Sequence, residues 1–305
     1  MLAPVGPPPG TVARSSAVST AAVVLDWYPA AARDLPWRRP DTTPWGVLVS
    51  EFMLQQTPVA RVEPVWTEWL ARWPAPSDLA TASRADVLRA WGKLGYPRRA
   101  LRLHEAAGVI ATRHGDAVPA DVDALEALPG VGSYTARAVA AFGYGRRCPV
   151  VDTNVRRVVA RAVHGRGDAG PARTTADLAD VDALLPPDAH SAAVVSAGLM
   201  ELGAVICTAR GPRCGACPLH ETCAWRAAGR PEYTGPRRPV QGFAGTDRQV
   251  RGRLLDVLRG ADEPVERAAL DAAWSDAAQR DRCLDSLLVD GLAEQHDDGR
   301  FALPA

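Results

Sequence analysis

The chain has almost no lysine. Lys93 stands alone among 35 basic side chains, and the other 34 are arginine. Chemistry that depends on a lysine amine, such as Schiff-base formation, therefore has a single candidate. Long apolar runs are missing as well. Uncharged stretches such as Ala192–Met200, ended by Glu201, fall well short of the ~20 residues that a membrane span requires. Export is not expected, because Met1–Gly10 is a Pro/Gly tract without a basic start or an apolar centre. Alternating β-branched runs are few and no fixed-period repeat is present, which argues against a β-rich fold or a solenoid. Net charge is also absent, with 35 basic against 35 acidic residues. That balance conceals an asymmetry. From Ala261 onward there are 11 Asp/Glu and 4 Arg, a net of −7, so the preceding 260 residues carry +7. A basic body with an acidic end fits nucleic-acid binding by the body alone.

What is present is ordinary globular material. The 305 residues are 47% apolar and 23% charged, enough for about two domains of ~150 residues. Residues 1–18, rich in Pro, Gly and Ala, read as a mobile tail. Residues 19–228 form the main domain, in which from Ala21 to Glu201 one helical pattern follows another: Pro64–Trp73, Arg84–Leu94, Arg99–His114, Val122–Leu128, Tyr134–Phe142, Val155–His164 and His190–Leu202. Breakers separate them at Pro74–Pro76, Pro119, Pro129–Gly132 and Pro186–Pro187. Pro, Gly and Arg accumulate over 229–247, a linker. Residues 248–305 then form a small module. Arg248–Gly260 is amphipathic, Cys283, Leu284, Leu287 and Leu288 mark a further helix, and Asp297-Asp298-Gly299 sits between two short strand patterns. Three helical segments and a hairpin suggest a winged-helix-like arrangement.

Four segments carry chemistry. In Leu128-Pro129-Gly130-Val131-Gly132, glycines permit a tight turn whose N–H groups open the next helix and can hold a phosphate. A plain corner between helices is the alternative. Cys207, Cys214, Cys217 and Cys223 follow the spacing Cys-x6-Cys-x2-Cys-x5-Cys. Four thiolates on one segment can close on a [4Fe–4S] cluster or on zinc. Having only one Cys-x-x-Cys pair favours the cluster. Arg210 and Arg213 lie between the first two cysteines, so a metal there would fix a basic loop. Glu51 lies inside Pro44–Thr57, an apolar helical run. Burial would raise its pKa and suit it to general-acid work, unless it occupies a solvated edge. Asp152 precedes Thr153-Asn154-Val155, where a helix-capping role is the simplest reading. A capping carboxylate is also held ionised by backbone donors and the helix dipole. One protonated and one charged carboxyl is what cleavage of a glycosidic bond through an oxocarbenium-like state requires.

Together these segments resemble the MutY-type adenine DNA glycosylases of the helix-hairpin-helix, endonuclease III superfamily. The resemblance rests on Arg33–Arg38, Ser50–Thr57, Leu94-Gly95-Tyr96, Leu128–Gly132 with Tyr134, Val151–Val155, and Gly198–Ala204 followed by the cysteines. It implies an all-α, two-lobed fold: a six-helix barrel over about 37–145 and an iron–sulfur lobe from about 19–36 and 146–228. It further implies excision of adenine opposite 8-oxoguanine or guanine from double-stranded DNA after base flipping. By motif position, Glu51 would protonate adenine N7, Asp152 would stabilise the cationic sugar, and Asn154 would orient the site. Arg33, Trp37, Arg38, Leu54, Val59 and Met200 match the adenine pocket. Gln56, Thr57, Leu94 and Tyr96 match residues that reach the opposite base, with Tyr96 as a wedge into the stack. Leu128, Gly130, Val131 and Gly132 match the DNA-binding hairpin. Relatives that also cut the strand carry a lysine two residues past the hairpin, where this chain has Tyr134; a monofunctional enzyme is expected. So are a monomer, a cytoplasmic site of action and no membrane partner. Two features depart from the family. Ala197 stands where some members carry Glu or Gln, and residues 248–305 are too few for the usual MutT-like domain. The alternatives are excision of an oxidised pyrimidine or mismatched thymine, or a catalytically silent DNA-binding protein.

Overall fold

A computed structural model describes residues 9–235 and 242–305; the remainder of the expected tail, residues 1–8, and residues 236–241 of the expected linker lie outside the described residues. The chain divides into two compact units, one built from Met1–Pro44, Ala120–Val122 and Gly132–Arg237, the other from Trp45–Pro119, Asp123–Val131 and Arg238–Ala305. Helix α1 (Pro9–Ala31) opens the first unit. The second holds α2 (Pro44–Leu54), α3 (Val59–Arg72), α4 (Pro76–Ala80), α5 (Arg84–Trp91), α6 (Arg98–Arg113) and most of α7 (Val122–Glu126). The chain returns to the first unit for α8 (Ser133–Tyr144), α9 (Thr153–Ala162), α10 (Thr174–Asp182), α11 (Ala189–Val205) and α12 (Ala224–Ala227). It closes in the second with α13 (Asp247–Arg259), α14 (Arg267–Asp271), α15 (Ala277–Val289) and the antiparallel strands β1 (Glu294–Gln295) and β2 (Phe301–Ala302). None of the described helices is long and apolar enough to cross a membrane.

Local signals explain most boundaries. Ser83, Asp152, Asp188 and Asp276 cap α5, α9, α11 and α15 by accepting a backbone N–H from three residues on. Proline punctuates the starts of α2 and α4. In the first unit, Val24 of α1, Val155, Val158 and Val159 of α9, and Val195, Leu199 and Leu202 of α11 form one buried cluster. In the second, Leu48, Phe52 and Met53 of α2 join Trp69, Leu79, Leu88, Trp91, Leu103, Ile110 and Leu125 among the fully buried side chains. The Trp69 ring meets those of Trp73 and Trp91 edge-on at 4.7 and 5.6 Å.

Three expectations change. Helix α1 begins at Pro9, inside the segment read as a tail, because Ala, Val and Ser over Thr11–Ala22 offer nothing to break it. The expected barrel boundary near residue 145 moves, since α8 packs on α11 and belongs to the first unit. The terminal module has its expected three helices and hairpin, with Val265 bridging Phe301 beside the β1–β2 pair. It is not a separate body, however. Its buried Leu254, Leu255, Leu258, Leu270, Leu284 and Leu287 form its own core, yet it is docked on α5 and the following loop. Arg89 Nη2 donates to the Ala261 carbonyl and Arg259 Nε to that of Leu88, each at 3.0 Å. Arg98 pairs with Asp290 at 3.2 Å and Lys93 approaches Asp256 at 3.8 Å. The acidic module thus meets arginine and lysine side chains of its own unit.

Because Leu199 is fully buried where α1, α9 and α11 meet, Leu199→Ala is expected to cost about 2–5 kcal/mol of stability. Urea unfolding followed by circular dichroism measures it.

Candidate functional site

In the second unit, α2 is buried along nearly its whole length, from Trp45 to Met53. Two indole bonds fix its position: Trp66 Nε1 donates to the Gly46 carbonyl at 2.8 Å, and Trp45 Nε1 to that of Trp73 at 3.1 Å. Glu51 is only 6% exposed. The solvated-edge reading is thereby removed; this carboxyl sits among apolar neighbours on its own helix. Leu54 and Val59, expected at the adenine pocket, flank the end of α2 and are half-buried.

The loop after α2 and the loop before α6 are held together by Arg99, which the sequence reading did not single out. Its Nη1 donates to the Phe52 and Met53 carbonyls at 2.7 and 3.0 Å. Its Nη2 donates to Thr57 Oγ1 at 3.0 Å and to the Gly95 carbonyl at 2.9 Å. Burial lowers its pKa to about 10. The four residues expected at the opposite base thus separate into two groups. Thr57 is buried and its hydroxyl donates to the Leu94 carbonyl at 2.9 Å, while Leu94 itself is 3% exposed. These two support the loops from within. Gln56 and Tyr96 face outward, both with left-handed backbone at φ 59 and 49, and Tyr96 is 40% exposed. Non-glycine residues held there store strain, which the Arg99 bonds offset.

Leu128 and Val131 anchor the hairpin by burial, whereas Gly130 and Gly132 are exposed at its surface. Gly130 is required twice over. Its φ is +77, and a Cβ there would lie 2.7 Å from Arg102 Cβ and 3.1 Å from the Phe52 ring. Gly132 caps α8, whose first turn carries the half-buried Tyr134.

In the first unit, Asp152 Oδ1 accepts the Val155 N–H and Oδ2 accepts Asn154 Nδ2, both at 2.7 Å. Asn154 Oδ1 in turn accepts Arg157 Nη2 at 2.7 Å, and Arg157 Nε donates to the Cys207 carbonyl at 2.7 Å. A continuous polar chain therefore runs from Asp152 to the first cysteine. Close packing makes this possible: a Cβ on Gly203 would lie 2.7 Å from Asn154 Cβ. The carboxyl of Asp152 differs from expectation. Burial pushes its pKa up, the Val155, Asn154 and Arg157 contacts pull it back, and the net direction is upward.

Glu201 of α11 is the second residue that sequence reasoning missed, although it stood within a quoted motif. It is fully buried. Arg33 Nε and Nη2 grip its two oxygens at 2.6 and 2.9 Å, and Arg38 Nη1 adds a bond at 2.9 Å. Burial alone would raise its pKa, but the two guanidinium groups outweigh that and hold it below the ordinary range. Arg33 and Arg38, expected to line the adenine pocket, are thus committed to an internal carboxylate. Trp37 is buried beside them in the Pro36–Arg38 turn, and Met200 is half-buried against the first unit's core.

The four cysteines Cys207, Cys214, Cys217 and Cys223 are unpaired and half-buried. The Cys217 thiol is pushed up to about 11 by burial, with Cys207, Cys223 and Cys214 adding to the rise. No described residues form a group at metal-ligating geometry. A buried cation serves this set. Arg161, 5% exposed, donates to Cys207 Sγ at 3.4 Å and to the Thr208 carbonyl at 2.8 Å, with its guanidinium 4.7 Å from the Trp225 ring centre. Arg210 and Arg213 are exposed in the same loop, and Arg213 donates back to the Val205 carbonyl.

The chain is similar to known proteins in both sequence and fold. Residues 49–181 match the family of HhH-GPD superfamily base excision DNA repair proteins. Among solved structures, a thermostable thymine-DNA glycosylase superposes with a TM-score of 0.64 at 25% identity, covering 72% of this chain and 99% of its own. An adenine DNA glycosylase of Mycobacterium tuberculosis is 66% identical over 92% of both chains. The adenine DNA glycosylase of Homo sapiens is 41% identical over 67% of this chain and 38% of its own. The chain belongs to the adenine DNA glycosylase family.

The Glu201 cluster yields a pH-dependent prediction. A carboxyl with a depressed folded-state pKa stabilises the fold fully above its unfolded value of ~4.3, and that contribution is lost as pH falls through the folded value. Glu201→Gln is expected to cost about 3 kcal/mol at neutral pH, the low end for a broken buried pair because Arg33 is 39% exposed. Urea unfolding should show the gap between variant and wild type closing as pH drops below the carboxylate range.

Proposed function

We propose that this protein is a monofunctional glycosylase that hydrolyses the N-glycosidic bond of adenine mispaired with 8-oxoguanine or guanine. The observation that carries the reading is the Glu51 carboxyl, buried in an apolar helix within a chain of this family. Glu51 donates a proton to adenine N7, which turns a poor leaving group into a neutral one. Asp152 faces the positive charge that develops on deoxyribose, and water completes the hydrolysis. The upward pressure on Asp152 suits this role. A carboxylate stripped of water gains more from a nearby cation than a solvated one does, and Asn154 and Val155 keep it aimed. Trp37 and Met200 in the first unit, and Leu54 and Val59 in the second, are the side chains that match the family's adenine-recognising positions, and the Arg33–Glu201–Arg38 cluster holds the backbone around Trp37.

The exposed Tyr96 and Gln56 enter the duplex at the opposite base, and the N–H groups around Gly130 and Gly132 hold backbone phosphate. Cys207, Cys214, Cys217 and Cys223 hold a [4Fe–4S] cluster, which fits a thiol set beside the buried Arg161 cation. Its contribution is to brace the loop carrying Arg210 and Arg213 against phosphate. Strand cleavage is not part of the reaction. Tyr134 replaces the amine that a Schiff base needs, and the one lysine, Lys93, is engaged near Asp256. The enzyme acts as a monomer on nucleoid DNA in the cytoplasm.

A panel of single-lesion duplexes tests this. Adenine release is expected opposite 8-oxoguanine and guanine, with strand scission only after hot alkali. Release of thymine or an oxidised pyrimidine instead, or scission without alkali, contradicts the reading, and no release from any duplex leaves only a DNA-binding protein. Metal analysis should give about four iron atoms per chain and no zinc.

A further inference from the structure

The role of the terminal module is not given by its sequence, since its acidic half is poorly suited to DNA backbone. The structure links it to one exposed side chain. Tyr96 stands in left-handed backbone at φ 49 with its ring 40% exposed, in a loop already tied from below by Arg99. The Arg99 guanidinium lies 5.5 Å from the Tyr96 ring centre. A second guanidinium comes from the module. Arg248, in the first turn of α13, lies 5.9 Å from the same ring centre and donates from Nη1 to Tyr96 Oη at 3.0 Å. Arg248 also lies 5.2 Å from the ring centre of Phe243, itself 53% exposed. The four docking contacts between the module and the α5 region hold α13 where Arg248 can make this bond.

We infer that Arg248 is a positioning residue for Tyr96, and that the module contributes to mispair recognition by holding that ring at a set orientation. The inference rests on the proposed function only in taking Tyr96 as the group that enters the stack. An aromatic ring free to rotate about its side-chain bonds must lose that freedom on insertion. A ring already hydrogen-bonded at its hydroxyl, with two guanidinium groups 5.5 and 5.9 Å from its centre, has lost most of it beforehand, so less binding energy is spent on ordering. Arg248 is placed to do this without inserting into the duplex itself. Acidic side chains of the module then serve to dock it, Asp290 by meeting Arg98 and Asp256 of α13 by approaching Lys93, and are not required to touch DNA.

The test is a double-mutant cycle in the full-length protein, with Arg248→Ala, Tyr96→Phe and both together. Binding is titrated on a duplex pairing 8-oxoguanine with 2′-fluoro-2′-deoxyadenosine, whose sugar resists cleavage, and on a matched duplex. Each single variant is expected to weaken mispair binding about tenfold, the scale of one charge-assisted hydrogen bond. The double variant should be no weaker than the worse single one within about twofold, because both remove the same bond. Matched-duplex affinity and the salt slope should hold. Additive losses, equal loss on matched duplex, or a slope reduced by about one, as for a simple phosphate contact, would overturn the inference. So would a wild-type protein without mispair preference. Binding that follows the expected cycle in a protein releasing no adenine defeats the proposed function and leaves this inference standing.

Discussion

The structure depends on keeping one carboxyl out of water. Glu51 sits in a helix whose residues from Trp45 to Met53 are all buried, and a charged group there is costly unless something about the site requires it. Much of the second unit serves that burial. Two tryptophan indoles hold the carbonyls of α2 and its neighbourhood, Arg99 ties down the C-terminal end of the helix, and Gly130 lets the hairpin pass within contact distance of Phe52. Each of these costs something locally: a guanidinium without a carboxylate, a left-handed residue, a glycine with no tolerance for a side chain. Their common effect is a rigid, buried position for an acid.

The first unit solves a related problem by different means. Asp152 is less deeply placed and is steered by donors: a backbone N–H, an amide, and behind them an arginine that also holds the chain at Cys207. Position is inherited along this line from the cysteine loop. Disturbing that loop therefore reaches the carboxylate through Arg157 and Asn154, without any contact between them. Glu201 plays the same part for Arg33 and Arg38, holding two long side chains in place.

How much of this could be read from the sequence follows from the range of the interactions. The Glu51 helix was legible because an acid in an apolar run violates the local pattern. The Asp152 cap and the hairpin glycines were legible because caps and turns are written within a few residues. The three-helix-and-hairpin module was legible for the same reason. What could not be read was set at long separation. Nothing near Glu201 says that Arg33, 168 residues away, will neutralise it. Nothing in Arg98-Arg99 distinguishes the exposed arginine from the one bound to five backbone and side-chain acceptors. The inward turn of Thr57 and Leu94 had no local mark either, since both lie in loops with no periodicity to assign a face. Nor did the docking of 248–305, because its contacts use backbone carbonyls that every residue carries. The upward shift at Asp152 shows the limit of capping logic: desolvation, a property of the whole fold, outweighs the donors next door.

The central claim is that Glu51 supplies the proton for adenine departure. Its most direct measurement is single-turnover adenine excision by Glu51→Gln beside the wild type, with duplex binding recorded in parallel. The account predicts binding within a few-fold of wild type and excision reduced by about 100-fold or more, the scale of lost general-acid catalysis. Excision at the wild-type rate by that variant would contradict it.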